Sequence, residues 1–155
     1  MKVFISYGAA ADQVTALRLQ ALGAVNGLTV YVPPAYTRHA PTLLDPEASQ
    51  KLHEAEVVLG VVGAGLSQAC LHELNTGMTL GKHLIVMSYP AFAAQFEPSF
   101  GSNLVLIDPA NPGAAETGIM GYLKSIGAQQ NTKKALLALG TLALGLLIFA
   151  SADRD

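Results

Sequence analysis

The chain reads as an α/β protein, an open sheet of five mainly parallel strands with helices on both faces, followed by one C-terminal hydrophobic helix. Short apolar runs alternate with stretches of helical spacing, the mark of a parallel sheet built from strand–helix–strand units. One run, Val57 to Val62, is uninterrupted by a polar residue, as expected of a strand covered on both faces. The apolar content, 51% against only 13% charged residues, has a location: residues 135 to 152 contain neither a charge nor a proline. These observations divide the 155 residues into an α/β domain at 1–127, a linker at 128–134 and a membrane-spanning helix at 135–152.

Taken in order, Val3-Phe4-Ile5-Ser6-Tyr7 is the first strand. Ala10 to Leu22 has helical spacing, with Val14, Leu17 and Leu22 as inward candidates. Leu28 to Val32 is the second strand, ended by Pro33-Pro34 because proline has no amide donor for a ladder. Residues 33 to 46 form a long loop that holds four of the eight prolines together with Tyr36, Arg38 and His39. Loops of that length in compact domains commonly carry function. Pro46 to Ala55 is a short second helix with Leu52 inward, and Val57 to Val62 is the third strand.

Ser67 is suited to cap a third helix, on which Leu71, Leu74 and Met78 make an apolar stripe. His83 to Met87 and Leu104 to Ile107 are the remaining strands. The intervening Tyr89 to Asn103 reads as irregular and carries Phe92, Phe96 and Phe100. Pro112 to Ile126 is the last helix of the domain.

The C-terminal ALLALGTLALGLLIFASA is apolar on every face. As a helix its 18 residues span about 27 Å, near the hydrocarbon thickness of a bilayer. Lys133 and Lys134 on its N-terminal side place the domain in the cytoplasm under the positive-inside rule. The expectation is a single-pass membrane protein contacting lipid through 135–152; a buried helix or a helical oligomer seam is the alternative.

A net charge of -2 offers no basic patch for nucleic acid. The single cysteine, Cys70, excludes an internal disulfide. His39, His53, His72 and His83 have no metal-ligand spacing, so no metal site is expected. Gly63-Ala64-Gly65 begins like a dinucleotide fingerprint, but Gln68 stands where the third glycine belongs, which leaves a tight strand-to-helix turn.

Glu73 is the residue best placed for chemistry. It lies near the start of the third helix, close to the carboxyl end of the preceding strand, where open α/β sheets build ligand sites. A carboxylate in a partly closed cleft stabilises a cationic transition state. Its spacing, with Cys70 and Gly77 and offset from the Leu71/Leu74/Met78 stripe, points it away from the core. Spacing alone favours a solvated surface glutamate.

Phe4-Ile5-Ser6-Tyr7 resembles the opening strand of Toll/interleukin-1 receptor (TIR) domains. Ser67-Gln68-Ala69-Cys70-Leu71-His72-Glu73-Leu74 resembles their Ser-x-x-Cys-x-x-Glu-Leu helix, followed here by a Gly81-Lys82 turn and a strand. The proline-rich segment 33 to 46 occupies the place of their BB loop. The resemblance covers residues 1 to about 127. Ala69 replaces the aromatic that often precedes the cysteine, and the acidic pattern of the loop is blurred.

The resemblance implies a flavodoxin-like fold and two classes of function. Many TIR domains, notably the bacterial type, cleave NAD at the nicotinamide–ribose bond as glycohydrolases or cyclases, and Glu73 matches their glutamate. By that analogy Ser6 and Tyr7 line the nucleotide cleft, Tyr36 and Arg38 close over it, and Ser67 and Cys70 border Glu73. NAD or a related nucleotide is then substrate, with no separate cofactor, and bacterial antiviral defence is the implied setting. The other class is a non-catalytic scaffold or adaptor that forms homo-oligomers through TIR contacts, concentrated by its anchor. A nucleoside deoxyribosyltransferase-like enzyme, which also uses a glutamate, is a further alternative.

Overall fold

A computed structural model describes residues 1–39, 45–94 and 104–127. The linker at 128–134, the membrane helix at 135–152, and Phe96 and Phe100 lie outside the described residues. Among the described residues no helix is long and apolar enough to cross a membrane.

Five strands are described: β1 (Lys2–Tyr7), β2 (Thr29–Tyr31), β3 (Val57–Val61), β4 (His83–Ser88) and β5 (Leu104–Leu106). They form one sheet of order β2-β1-β3-β4-β5, and all four pairings are parallel. The helices are α1 (Ala10–Val25), α2 (Pro46–Glu54), α3 (Gln68–Thr79) and α4 (Pro112–Gly127), with a 3-10 helix at Ala35–His39. Residues 90–94 are also helical, so the segment after Tyr89 is not wholly irregular as its sequence suggests.

Strand alternation sorts the core into two layers. Val3, Ile5, Tyr7, Val57, Leu59, Val61, Ile85 and Met87 point to one face, where Ala16 and Leu19 of α1 and Ile119 and Leu123 of α4 cover them. Phe4, Val58, Leu84 and Val86 point to the other, under Ala48 and Leu52 of α2 and Cys70 and Leu74 of α3. β1 and β3 are buried along nearly their whole length, which explains why β3 is a continuous apolar run and β1 is broken only by Ser6 between Val3 and Tyr7.

The helix faces correct two expectations. On α1 the buried residues are Asp12, Ala16, Leu19 and Gly23, while Val14, Leu17 and Leu22 are exposed. On α3 they are Cys70, Glu73, Leu74 and Gly77, while Leu71 and Met78 are exposed. Close packing is the reason. A Cβ at Gly77 would lie 2.9 Å from Val58 Cγ2, and one at Gly60 would lie 2.8 Å from Leu74 Cδ2. The glycines let α3 settle against β3, so its small and polar side faces the sheet. Leu74 alone of the expected stripe turns inward.

Ser6 and Gly60 are partners in the β1–β3 register. Together they form a low, small-residue patch on the face that α3 covers. β1 and β3 are also where the strand order turns, since β2 lies on one side of β1 while β3 and β4 continue on the other. In open parallel sheets the crevice at the carboxyl end of such a turning point is the usual ligand site.

Candidate active site

Glu73 sits on that patch. Its residue is 1% exposed, so the solvated reading favoured by spacing is overturned. Ser67 starts α3 as its N-cap, accepting from the Cys70 amide at 3.1 Å, and this sets the phase that brings Cys70 and Glu73 onto the sheet. Ser6 donates its hydroxyl proton to Glu73 Oε1 at 2.7 Å. Ser6 Oγ is also 3.1 Å from Cys70 Sγ. A serine hydroxyl has one proton, so its bonds to the carboxylate and to the sulfur are alternatives that share one donor. Burial, opposed by the Ser6 contact and reinforced by the Glu73 charge, pushes the Cys70 thiol up to about 12. It is fully buried and packs in the layer between α3 and the sheet.

The second partner of Glu73 comes from the loop after β2. Arg38 donates from Nη1 to Oε1 and from Nη2 to Oε2, each at 2.7 Å, a bidentate ion pair with both side chains almost fully buried. Nη1 also donates to the Tyr7 carbonyl at 2.9 Å, and Nε and Nη2 both reach Thr37 Oγ1 at 3.1 Å. The guanidinium lies over the Tyr7 ring, with Cζ 4.8 Å from its centroid, inside the range of a cation–π contact. Burial alone would lower the Arg38 pKa; the hydrogen bonds and charge of Glu73 outweigh it and hold it above its ordinary value. Tyr7 is raised by burial, with Arg38 opposing and Glu73 adding to the shift.

The loop itself is tied down. Tyr7 donates its hydroxyl to the Pro33 carbonyl at 2.9 Å, and Thr37 donates its own to the Pro34 carbonyl at 2.6 Å. The two prolines that end β2 therefore present carbonyls that seat the turn carrying Arg38.

Of the residues singled out in the sequence, Ser6, Tyr7, Arg38, Cys70 and Glu73 converge in one cluster, and Ser67 borders it as a cap. Tyr36 does not join them. It is 65% exposed, and its hydroxyl lies 3.4 Å from Asp45 Oδ1 at the start of α2. Arg38 is engaged by Glu73 itself rather than held free for a pyrophosphate. Thr37, which supports Arg38, carried no signal in the sequence.

A second buried carboxylate was also missed. Asp12, in the first turn of α1, accepts from the Ala64 amide at 3.0 and 3.2 Å and from the Ala9 amide at 3.3 Å. It clamps the β1–α1 turn to the Gly63-Ala64-Gly65 turn after β3. The two turns touch: a Cβ at Gly8 would lie 1.8 Å from the Gly65 carbonyl oxygen, and Gly65 itself takes φ +158, close to extended backbone. Burial raises the Asp12 pKa, against the opposing pull of those amides. An aspartate at the third helical position, with a Gly-x-Gly turn elsewhere, was the available hint. Among the described residues no group of three or more His, Cys, Asp or Glu is arranged to hold a metal.

No protein-family model and no curated protein matches the sequence. Among solved structures the chain is similar to the TIR domains of the activated Roq1 resistosome directly recognizing the pathogen effector XopQ. The identity is 13% and the TM-score 0.49, over 93% of this chain and 83% of that one.

Proposed function

We propose that the chain is a TIR-type domain that cleaves NAD at the nicotinamide–ribose bond, tethered to a membrane by residues 135–152. One observation carries this reading: a glutamate buried at the carboxyl end of the β1–β3 pair, hydrogen-bonded to a serine from the neighbouring strand.

The chemistry suits one carboxylate. The C1′–N bond of the ribosyl pyridinium breaks with its electron pair going to nitrogen, so nicotinamide leaves neutral and needs no general acid. Glu73 stabilises the ribosyl cation left at C1′. Water then bonds to C1′ and releases a proton to solvent, giving ADP-ribose; capture by a ring nitrogen of the same molecule gives a cyclic isomer. The paired acid and base of ordinary glycosidases are not required. For ribose hydroxyls to reach Glu73 they must replace Arg38 as its partners.

The test is nicotinamide release by the full-length protein in liposomes beside Glu73→Gln. Release from the wild type that disappears in the variant is the expected result. Equal release from both sinks Glu73 as the catalytic carboxylate. A second reading, a non-catalytic module acting by homotypic assembly at the membrane, is favoured by the exposed Val14, Leu17 and Val25 on α1. It predicts concentration-dependent self-association with no release at any density on the liposome.

A further inference from the structure

We infer that β1 and α3 together form a receptor for a planar, delocalised cation, and that Arg38 is its tethered internal occupant. The inference deepens the proposed reaction, whose substrate carries such a cation, but it stands on the geometry around Arg38 and can be tested without turnover.

The receptor has three walls, all supplied by the packed core of the domain. The Glu73 carboxylate faces the guanidinium edge with both oxygens at 2.7 Å. The Tyr7 ring lies against its face at 4.8 Å. The Tyr7 carbonyl accepts an N–H at 2.9 Å. None of these groups belongs to the segment that carries Arg38. That segment, the short 3-10 helix at Ala35–His39, contributes the cation and the Thr37 hydroxyl.

A carboxylate, an aromatic face and a carbonyl acceptor make up a site for a flat cation bearing an N–H donor. A guanidinium meets that description. So does a pyridinium carboxamide, whose charge would face Glu73 while its amide N–H reaches the Tyr7 carbonyl. With Arg38 in place the carboxylate is neutralised and covered, so any external cation must compete with a group held at the effective concentration of its own loop.

The experiment uses the full-length chain in detergent with Arg38→Ala, and the probes are methylguanidinium, 1-methylnicotinamide and tetramethylammonium. Removing one partner of a buried ion pair lowers the melting midpoint by about 10 °C. Both planar cations are expected to recover most of that loss at millimolar concentration, while tetramethylammonium, equally charged but not flat, recovers none. The double variant Arg38→Gln/Glu73→Gln, which has no charge at either position, is expected to respond to none of the three. Recovery by methylguanidinium alone, by all three cations, or by none overturns the inference.

If Arg38→Ala does not fold unaided, the same cations are added during refolding. The yield of protease-resistant protein is then read against the same pattern. Cation rescue without nicotinamide release from the wild type leaves this receptor standing and sinks the catalytic reading; release without rescue does the reverse.

Discussion

Asp12 and Glu73 are both buried carboxylates near the carboxyl edge of one sheet, on helices that pack against opposite faces, yet they are satisfied in different ways. Asp12 is held by backbone amides of Ala9 and Ala64, groups that cannot leave without unfolding two turns. Glu73 is held by side chains, Ser6 from a central strand and Arg38 from a loop. The first arrangement fixes backbone to backbone. The second can be exchanged, because a side-chain cation can be replaced by another cation while the strands stay paired. A structural carboxylate and a chemically usable one therefore differ less in burial than in whether their partners are free to move.

The largest effects are expected at the exchangeable pair. Arg38→Met or Glu73→Leu alone leaves one buried charge without a partner and should cost about 3–5 kcal/mol in denaturant unfolding. The double variant should lie within about 1 kcal/mol of wild type, because a buried ion pair gains little over a packed apolar pair. Additive losses in the double variant would show that the pair is not the isolated exchangeable unit described.

Asp12→Ala should cost about 1–3 kcal/mol, since it strands the Ala9 and Ala64 amides, with no second-site change at Arg38 able to restore it. Gly77→Ala tests whether α3 must lie close to β3 to bring Glu73 down. Overpacking against Val58 costs about 1–3 kcal/mol, and alanine returns about 1 kcal/mol of helix propensity, so a net loss near 1 kcal/mol is expected. No loss would mean that the helix shifts freely at that contact.

The smallest effect is a pH dependence. The folded Asp12 pKa is raised above its ordinary 3.8, so its contribution is fully present below pH 3.8 and is lost as pH rises through the folded value. Wild-type stability relative to Asp12→Asn should fall across that acid window and be flat above it, as read by urea midpoints at successive pH values.

Much of the sheet was legible in the sequence, and the reason lies in the strands. Val57–Val61 and His83–Ser88 are buried by a local rule that shows as an apolar run, and their pairing follows from the alternation with helices. The helix faces were not legible by the same route. Leu71 and Met78 have the right spacing for a core stripe, but contact distance decides which side of α3 faces in, and that is dictated by Gly77 and Gly60. The burial of Glu73 was equally hidden, because its compensation comes from Ser6 and Arg38, far away in the chain. The position of Glu73 after a central strand and the likeness of the Ser67–Leu74 segment to a known helix marked the residue for chemistry, but neither gave its burial or Arg38 as its partner.

The distances along the chain that hid this cluster also govern when it forms. Ser6 and Glu73 are 67 residues apart, and Arg38 is 35 residues from Glu73. Contacts at such separations close large loops and are made late in folding, after local helices and turns. Glu73 thus spends the early part of folding as an ordinary hydrated side chain. Its pairing with Arg38 can be completed only once β1, β3 and α3 have assembled, so a chain that carries α3 but has not paired β1 with β3 has a glutamate but no site.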